Sequence, residues 1–81
     1  MKKKWLVRLD DGEYSVEIRQ NQMSGSGSIL INGSTVSEFS ESGESARMME
    51  IEYGRHRFKI NIVFGSFQNE YNLTVDGSYH S

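Results

Sequence analysis

The chain has 81 residues, a formal net charge of −2, and neither cysteine nor proline. This length suits one domain, residues 1–81, with a compact core and little room for a deep pocket. The missing cysteine excludes a disulfide framework, and the nearly balanced charge gives the whole molecule no strong attraction to nucleic acid. No apolar run approaches the roughly 20 residues of a membrane helix, and the charges after Trp5 leave no signal-peptide core. We therefore expect a soluble, cytoplasmic protein that binds neither membranes nor nucleic acid.

The first half of the chain alternates apolar and polar residues in a way that predicts strands and turns. Strands are predicted at 5–9 and 14–18, around a tight turn at Asp11-Gly12. Residues 21–28, rich in glycine and serine, are predicted to form a flexible loop. A short strand at 29–31, an Asn32-Gly33 turn and a strand at 34–39 follow, and residues 37–45 are predicted to form an exposed loop.

The second half continues the same pattern. Strands are predicted at 48–53 and 56–64 around Gly54-Arg55, at 67–75 after Gly65-Ser66, and at 78–81 after Asp76-Gly77. About eight strands in hairpin, or meander, order with one apolar face indicate an all-β fold, an antiparallel β-sandwich. The predicted core consists of Trp5, Val16, Ile18, Phe58, Ile60, Ile62, Tyr71, Leu73 and Val75.

No residue pattern indicates catalysis, a metal site or a cofactor. Zinc sites combine cysteine and histidine at close spacing, and the only histidines are His56 and His80. His56 begins a strand on its apolar side, where we expect a partly buried, hydrogen-bonded side chain. The series Glu38, Glu41 and Glu44 has the wrong spacing for a calcium loop and is interpreted as a solvated acidic segment. We therefore expect no enzyme activity, no metal and no cofactor.

Two basic clusters could suggest a nucleic-acid site. The run Lys2-Lys3-Lys4 is either a phosphate-contacting arm or a solvated terminus before the first strand, and we favour the terminus. The cluster of Arg55, Arg57 and Lys59 has no outward aromatic residue between its members, whereas single-strand binding needs exposed stacking platforms. The aromatic residues fall on apolar faces and are interpreted as core residues: Trp5, Tyr14, Phe58, Phe64, Phe67 and Tyr71.

Three apolar residues occupy positions that should point to water. Leu6, Leu30 and Val63 interrupt the polar side of their predicted strands. If they converge, they form a patch that binds a protein partner; if strand pairing places them under loops, they mean little. A second route to binding is an open sheet edge, which can add a strand from another chain.

Four segments in order resemble the Fas apoptotic inhibitory molecule family. Residues 5–17 resemble its opening tryptophan strand, Asp-Gly turn and second strand, and Ser24-Gly25 followed by Ile31-Asn32-Gly33 resembles its Ser-Gly loop and the strand ending in Asp-Gly. Residues 58–62 and 67–78, with Glu70-Tyr71-x-Leu73-x-Val75-Asp76-Gly77, resemble its last long hairpin. The resemblance is collinear over nearly the whole chain.

The resemblance implies one eight-stranded antiparallel β-sandwich unit without enzyme activity. It also implies a cytosolic role against receptor-triggered cell death and in protection from aggregated protein. The chain departs from the family in carrying one such unit rather than two, and in having Arg47-Met48-Met49-Glu50-Ile51 where the family has a Trp-Met-Phe run. The resemblance therefore supports the family's fold for this chain more strongly than the family's biological role.

Three functions remain open from the sequence. The first is a protein-interaction module related to this family, as a monomer or weak dimer. The second is an unrelated β-sandwich that binds a sugar or another small molecule, and the third is an enzyme or an accessory domain of one. A sugar site would show exposed aromatic residues, and the sequence places its aromatic residues inward.

Overall fold

The computed structural model describes residues 2–21, 23–40, 45–65 and 67–80, all of which form strands, turns or irregular segments. Two four-stranded antiparallel sheets contain the eight strands, in the orders β1-β2-β3-β4 and β5-β6-β7-β8. The strands are β1 (Lys2–Leu9), β2 (Gly12–Gln20), β3 (Ser26–Ile31), β4 (Ser34–Ser40), β5 (Ala46–Tyr53), β6 (His56–Val63), β7 (Glu70–Val75) and β8 (Ser78–His80). The predicted all-β class is confirmed, and the two sheets in hairpin order are consistent with the predicted β-sandwich.

The two sheets belong to two compact units, Met1–Ser42 and Gly43–Ser81. We call them the N-terminal unit and the C-terminal unit. Each contains one complete meander of four strands in sequence order. The interpretation of residues 1–81 as a single domain stays a prediction.

Tight turns set the register of the hairpins. Asn32 and Gly33 have φ values of 51° and 83°, and Asp76 and Gly77 have 50° and 87°. Two successive residues with positive φ are the signature of the turn whose twist matches a hairpin, and Asn-Gly and Asp-Gly are the pairs that adopt it most readily. In the first hairpin the turn lies one residue earlier than predicted, because Leu9 pairs with Gly12.

The glycine- and serine-rich segment is more ordered than its composition predicts. Oδ1 of Asn21 accepts hydrogen bonds from the backbone nitrogens of Met23 and Ser24, and β3 begins at Ser26. Within β3, Gly27 pairs with Phe39 of β4. A Cβ on Gly27 would lie 2.3 Å from the Phe39 ring, so the ring occupies the space that this glycine leaves free. The prediction of a flexible loop through residue 28 is therefore wrong.

Part of the segment predicted as a loop at 37–45 is a strand. β4 continues to Ser40, and Phe39 is buried. An irregularity in the ladder accompanies this strand: Ile29 pairs with Ser37 but Leu30 pairs with Thr35, so Val36 is an extra residue. Such a bulge interrupts the alternation of inward and outward residues, so the sequence pattern does not reveal the full strand. Glu38 is exposed on β4, while Glu41 and Glu44 lie outside the described residues.

The apolar faces of the two sheets are buried. Eight of the nine predicted core residues are at most 4% exposed, and Tyr71 is half-buried. Tyr14 and Phe64 are also half-buried, and Phe67 is fully exposed at 101%. The sequence pattern predicts a strand at Phe67, but β7 begins at Glu70, so this aromatic residue lies in the preceding connection. Its assignment to the core is wrong. The buried apolar residues are Trp5, Val7, Val16, Ile18, Ile29, Leu30, Ile31, Phe39, Ile51, Phe58, Ile60, Ile62, Leu73 and Val75.

Truncation of Ile60 tests the register of the second sheet. Ile60 is completely buried on β6, between Met49 of β5 and Leu73 of β7. We expect Ile60→Ala to lower the free energy of unfolding by about 2–5 kcal/mol, because the lost side chain leaves a cavity. Urea denaturation measures this change. Met48→Ala, on the exposed face of the same hairpin, should change stability by less than about 0.5 kcal/mol; equal losses in both variants would contradict the register.

Candidate functional site

The three apolar residues predicted to form a docking patch have different surroundings. Leu6 is 67% exposed and Val63 is 39% exposed, as expected for outward positions. Leu30 is only 8% exposed, so the prediction that it is exposed is wrong. It lies on interior strand β3, where its partners are Glu17 of β2, which is also 8% exposed, and Thr35 of β4. Leu6 and Val63 remain candidates, one in each unit.

The lysine run is part of a strand rather than a terminus before it. Lys2, Lys3 and Lys4 pair with Arg19, Ile18 and Glu17 of β2. Because side chains alternate along a strand, Lys2 and Lys4 share the outer face with Leu6, whereas Lys3 lies on the other face. There the Lys3 ammonium lies 5.5 Å from the centre of the Trp5 ring, within the range of a cation–π contact. The three lysines are exposed, as predicted, but the prediction that they precede the first strand is wrong.

A nearly buried carboxylate organises the outer face of the first sheet. Glu17 accepts a hydrogen bond from Nε of Arg19, and Nζ of Lys2 lies 3.9 Å from the same carboxylate oxygen. The hydrogen bond from Arg19, with the positive charges of Arg19, Lys2 and Lys4, holds the pKa of Glu17 below its ordinary value, although burial opposes this effect. Glu17 therefore keeps its negative charge among these cations at neutral pH.

Arg8 completes a mainly basic outer surface along β1. Its guanidinium lies 3.4 Å from the Glu13 carboxylate, and both side chains are more than half exposed. Lys4, directly opposite Glu17, forms no hydrogen bond or ion pair with another described residue. The strand thus presents Lys2, Lys4 and Arg8 around one exposed leucine.

The C-terminal unit contains a cleft of about 690 Å³ at the turn ends of β6 and β7. Its volume lies within the range typical of small-molecule sites. Among the described residues, no phenylalanine, tyrosine or tryptophan lines it, and so they offer no aromatic platform for a sugar ring or a base. The lining residues are Glu52, Gly54, Arg55, His56, Arg57, Lys59, Thr74, Asp76 and Gly77.

Asp76 connects the turn between β7 and β8 to the start of β6, which follows the turn between β5 and β6, at this cleft. One carboxylate oxygen accepts a hydrogen bond from the Arg57 backbone nitrogen at 2.9 Å, and the other lies 2.5 Å from Nδ1 of His56. The Asp76 backbone nitrogen in turn donates to the Arg57 carbonyl oxygen at 2.9 Å. The His56 side chain is 10% exposed, which confirms the predicted partly buried, hydrogen-bonded histidine.

These contacts perturb the acidity of Asp76. The hydrogen bond from the Arg57 backbone, followed by that from His56, holds the pKa of Asp76 below its ordinary value of 3.8. Both carboxylate oxygens therefore serve to fix the conformation of the turns. The Asp76-Gly77 dipeptide predicts the turn, but not that the side chain reaches back 20 residues to His56.

Acidic neighbours balance most of the positive charge in the cleft. Arg57 contacts Glu52 at 3.2 Å and Glu50 at 3.9 Å, and Lys59 lies 3.8 Å from Glu50. Arg55 is exposed and has no ion pair within the described residues. The predicted basic cluster is therefore a cross-strand ladder of mixed charge. The expectation that it binds no nucleic acid stays a prediction.

The fold and surface define an all-β protein built from antiparallel meanders, whose described residues contain no helix that could cross a membrane. The family model described as Fas apoptotic inhibitory molecule (FAIM1) matches residues 1–81, the whole chain. The chain therefore belongs to the Fas apoptotic inhibitory molecule family, and the resemblance seen in its sequence is confirmed. A comparison with curated proteins gives no match.

Asp76 should make the stability of the protein depend on acid pH. Because its pKa is lowered in the folded state, the ionised carboxylate stabilises the fold above about pH 3.8, and this contribution is lost as the pH falls through the lowered value. Asp76→Asn tolerates the same positive φ and can still accept from Arg57, but it lacks the charge. We expect it to unfold more easily than the wild type at about pH 6 and to match it more closely at about pH 3.

Chemical denaturation at several pH values measures this difference. Glu70→Gln is a matched control, because Glu70 is exposed on the same sheet and forms no ion pair with another described residue. A stability difference between wild type and Asp76→Asn that stays constant from about pH 6 to about pH 3 would contradict the role of the charge.

Proposed function

We propose that this chain is a non-enzymatic protein-interaction module that acts in the cytoplasm against Fas-triggered cell death and protects cells from aggregated protein. The observation that carries this proposal is the family match over residues 1–81. The partner is a protein, and the chain itself is a monomer or weak dimer. No metal, cofactor, nucleic acid or membrane takes part.

The surface chemistry supports binding rather than catalysis. In the cleft, Asp76 holds His56 and the Arg57 backbone in place, so its carboxylate has a structural task. The outer sheet faces instead present apolar side chains among charges, notably Leu6 beside Lys4 and Val63 beside Glu70. Such a surface suits a protein partner that covers the exposed apolar side chain and pairs its own polar groups with the surrounding charges.

A small-molecule module is the second candidate. The 690 Å³ volume of the cleft favours it, and Arg55 gives that cleft a cation without an ion-pair partner in the described residues. Its charged lining suits an anion more than a sugar. A calorimetric titration with a sugar and with inorganic phosphate distinguishes the two ligand classes, and binding of either that is lost in Arg55→Ala would favour this candidate over the interaction module.

The proposed role can be tested in cells stimulated through the Fas receptor. We expect the wild-type chain to lower executioner-caspase activity and raise survival relative to an empty vector. The double variant Leu6→Lys/Val63→Lys should lose this protection, because charges replace the apolar side chains exposed on the two outer faces. Met23→Lys/Phe67→Lys is the control, since Met23 and Phe67 are 98% and 101% exposed outside the strands and their replacement adds the same two charges.

Thermal melting of the purified variants must first establish that they remain folded. Absence of protection by the wild-type chain would contradict the proposed function. Full protection by the folded double variant would leave the function standing but contradict the assignment of Leu6 and Val63 to the partner surface.

A further inference from the structure

The four edges of the two sheets differ in length and regularity. In the sheet orders of the described strands, β1 and β4 are the edges of one sheet, and β5 and β8 of the other. β4 contains the bulge at Val36, and β8 has three residues. β1 and β5 have eight residues each, and their ladders to β2 and β6 contain no register shift. They are therefore the long, regular edges at which a further strand can pair.

Hydrogen bonds in β2 reveal which residues of β1 face the open edge. The Ser15 backbone bonds to Asn32, on the side of β3, and Asn21 bonds to Ser26 on the same side. Antiparallel strands alternate between pairs that exchange backbone hydrogen bonds and pairs that do not. Leu6, opposite Ser15, therefore directs its backbone N–H and C=O away from β2. By the same alternation, the residues with edge-facing backbone groups are Lys2, Lys4, Leu6 and Arg8.

The same reasoning applies to β5. The Phe64 backbone nitrogen donates to the Ser45 carbonyl oxygen, so odd-numbered residues of this segment bond to β6. The backbone groups that face the open edge consequently belong to Ala46, Met48, Glu50 and Glu52. These residues are all exposed, and Met48 is 57% exposed.

We propose that β1 of one copy of this chain pairs antiparallel with β5 of a second copy. The side chains along the two edges are complementary. The β1 edge is basic and has Leu6 as its third edge-facing residue, whereas the β5 edge carries two glutamates and has Met48 as its second. When the two strands run antiparallel, the lysines lie opposite the glutamates and Leu6 lies opposite Met48. The direct partners across the new ladder are Lys2 with Glu52, Lys4 with Glu50, Leu6 with Met48, and Arg8 with Ala46.

This register satisfies three conditions together. Every paired residue directs its backbone groups toward the partner edge, and each lysine faces a carboxylate. The exposed apolar side chains of the two edge strands, Leu6 of β1 and Met48 of β5, cover each other. A shift by two residues places Lys4 opposite Met48, or Leu6 opposite Glu50. Parallel pairing also places charges opposite apolar residues.

Charge excludes the symmetric alternative at β1. Three of its four edge-facing residues are cations, so pairing of β1 with β1 aligns like charges in nearly every register. Lysines at an edge normally prevent strand addition, and here they exclude β1 of a second copy while accepting the acidic edge of its β5. Glu50 and Glu52 already contact Arg57 and Lys59, and each carboxylate has further lone pairs for a lysine across the new ladder.

The association should be weak and sensitive to salt. Each cross-strand pair of opposite charge or apolar type stabilises a sheet only modestly, and exposed ion pairs are screened by salt. Sedimentation equilibrium should show association that declines as the salt concentration rises from about 0.05 M to about 0.5 M.

Cysteine cross-linking tests the register, because the chain contains no cysteine of its own. Leu6→Cys and Met48→Cys chains, distinguishable by a tag, are mixed at low salt under mild oxidation. Directly paired residues have Cα atoms within reach of a disulfide. We expect at least about fivefold more mixed dimer than from Leu6→Cys with Val63→Cys or with Met23→Cys, because pairing raises the effective concentration.

Charge reversal provides the second arm. Lys4→Glu should weaken the association by about three- to tenfold, and mixing it with Glu50→Lys should restore association. Lys3→Glu changes the net charge equally, but Lys3 points its side chain to the other face and its backbone to β2, so we expect little effect. Thermal melts confirm that each variant is folded.

Several results would overturn the proposal. These are a chain that stays monomeric at low salt, a Met48→Cys homodimer that forms faster than the mixed dimer, or equal effects of Lys4→Glu and Lys3→Glu. All of these measurements use purified chain, so their failure is distinct from failure of the cellular function. A monomeric chain whose β1 binds a peptide of residues 46–52 would make these edges sites for other extended segments and would also contradict self-pairing.

Discussion

The backbone ladder between antiparallel strands is the constraint on which the rest of this structure depends. Once Leu9 pairs with Gly12, every residue of β1 has its partner on β2 fixed, and the same holds for β6 once Tyr53 pairs with His56. A slip by one residue would turn every side chain to the other face. Register therefore determines which side chains are buried, which are exposed, and which backbone groups are left at the edges.

This constraint explains why the exposed features of the chain are arranged in stripes. Lys2, Lys4, Leu6 and Arg8 are alternate residues of one strand, and Met48, Glu50 and Glu52 are alternate residues of another. Their side chains lie on the outer faces and their backbone groups point to the open edges for the same geometrical reason. Side chains on such stripes can be exchanged without altering the core that supports them.

Much of the fold could be predicted from the sequence, because strict alternation and Asn-Gly or Asp-Gly turns act locally. For this reason the alternation correctly predicts that Ile60 and Leu73 are buried. The failures involve contacts that no local pattern contains. In β3 the Phe39 ring occupies the space that a side chain at Gly27 would fill, and Leu30 is buried beside Glu17 of β2. Phe67 alternates with its neighbours but lies outside any strand.

The candidate surfaces were harder to predict than the fold. Their geometry depends on pairs distant in sequence, such as Asp76 with His56 and Glu17 with Lys2. The sequence identified Leu6 and Val63 as outward apolar residues but gave no reason to consider Met48, whose exposure follows from the pairing of β5 with β6. Whether the odd- or the even-numbered residues of a strand direct their backbone groups to the open edge likewise follows only from a specific hydrogen bond in the structure, such as that between Ser15 and Asn32.

Amide hydrogen exchange of β1 in dilute solution tests the ladder most directly. The account predicts that the amides of Trp5, Val7 and Leu9, which bond to β2, exchange much more slowly than those of Lys4, Leu6 and Arg8, which face the open edge. Dilution keeps the chain monomeric, so no partner strand protects the edge. Protection of the Leu6 amide equal to that of Trp5 and Val7 would contradict both the register and the open edge.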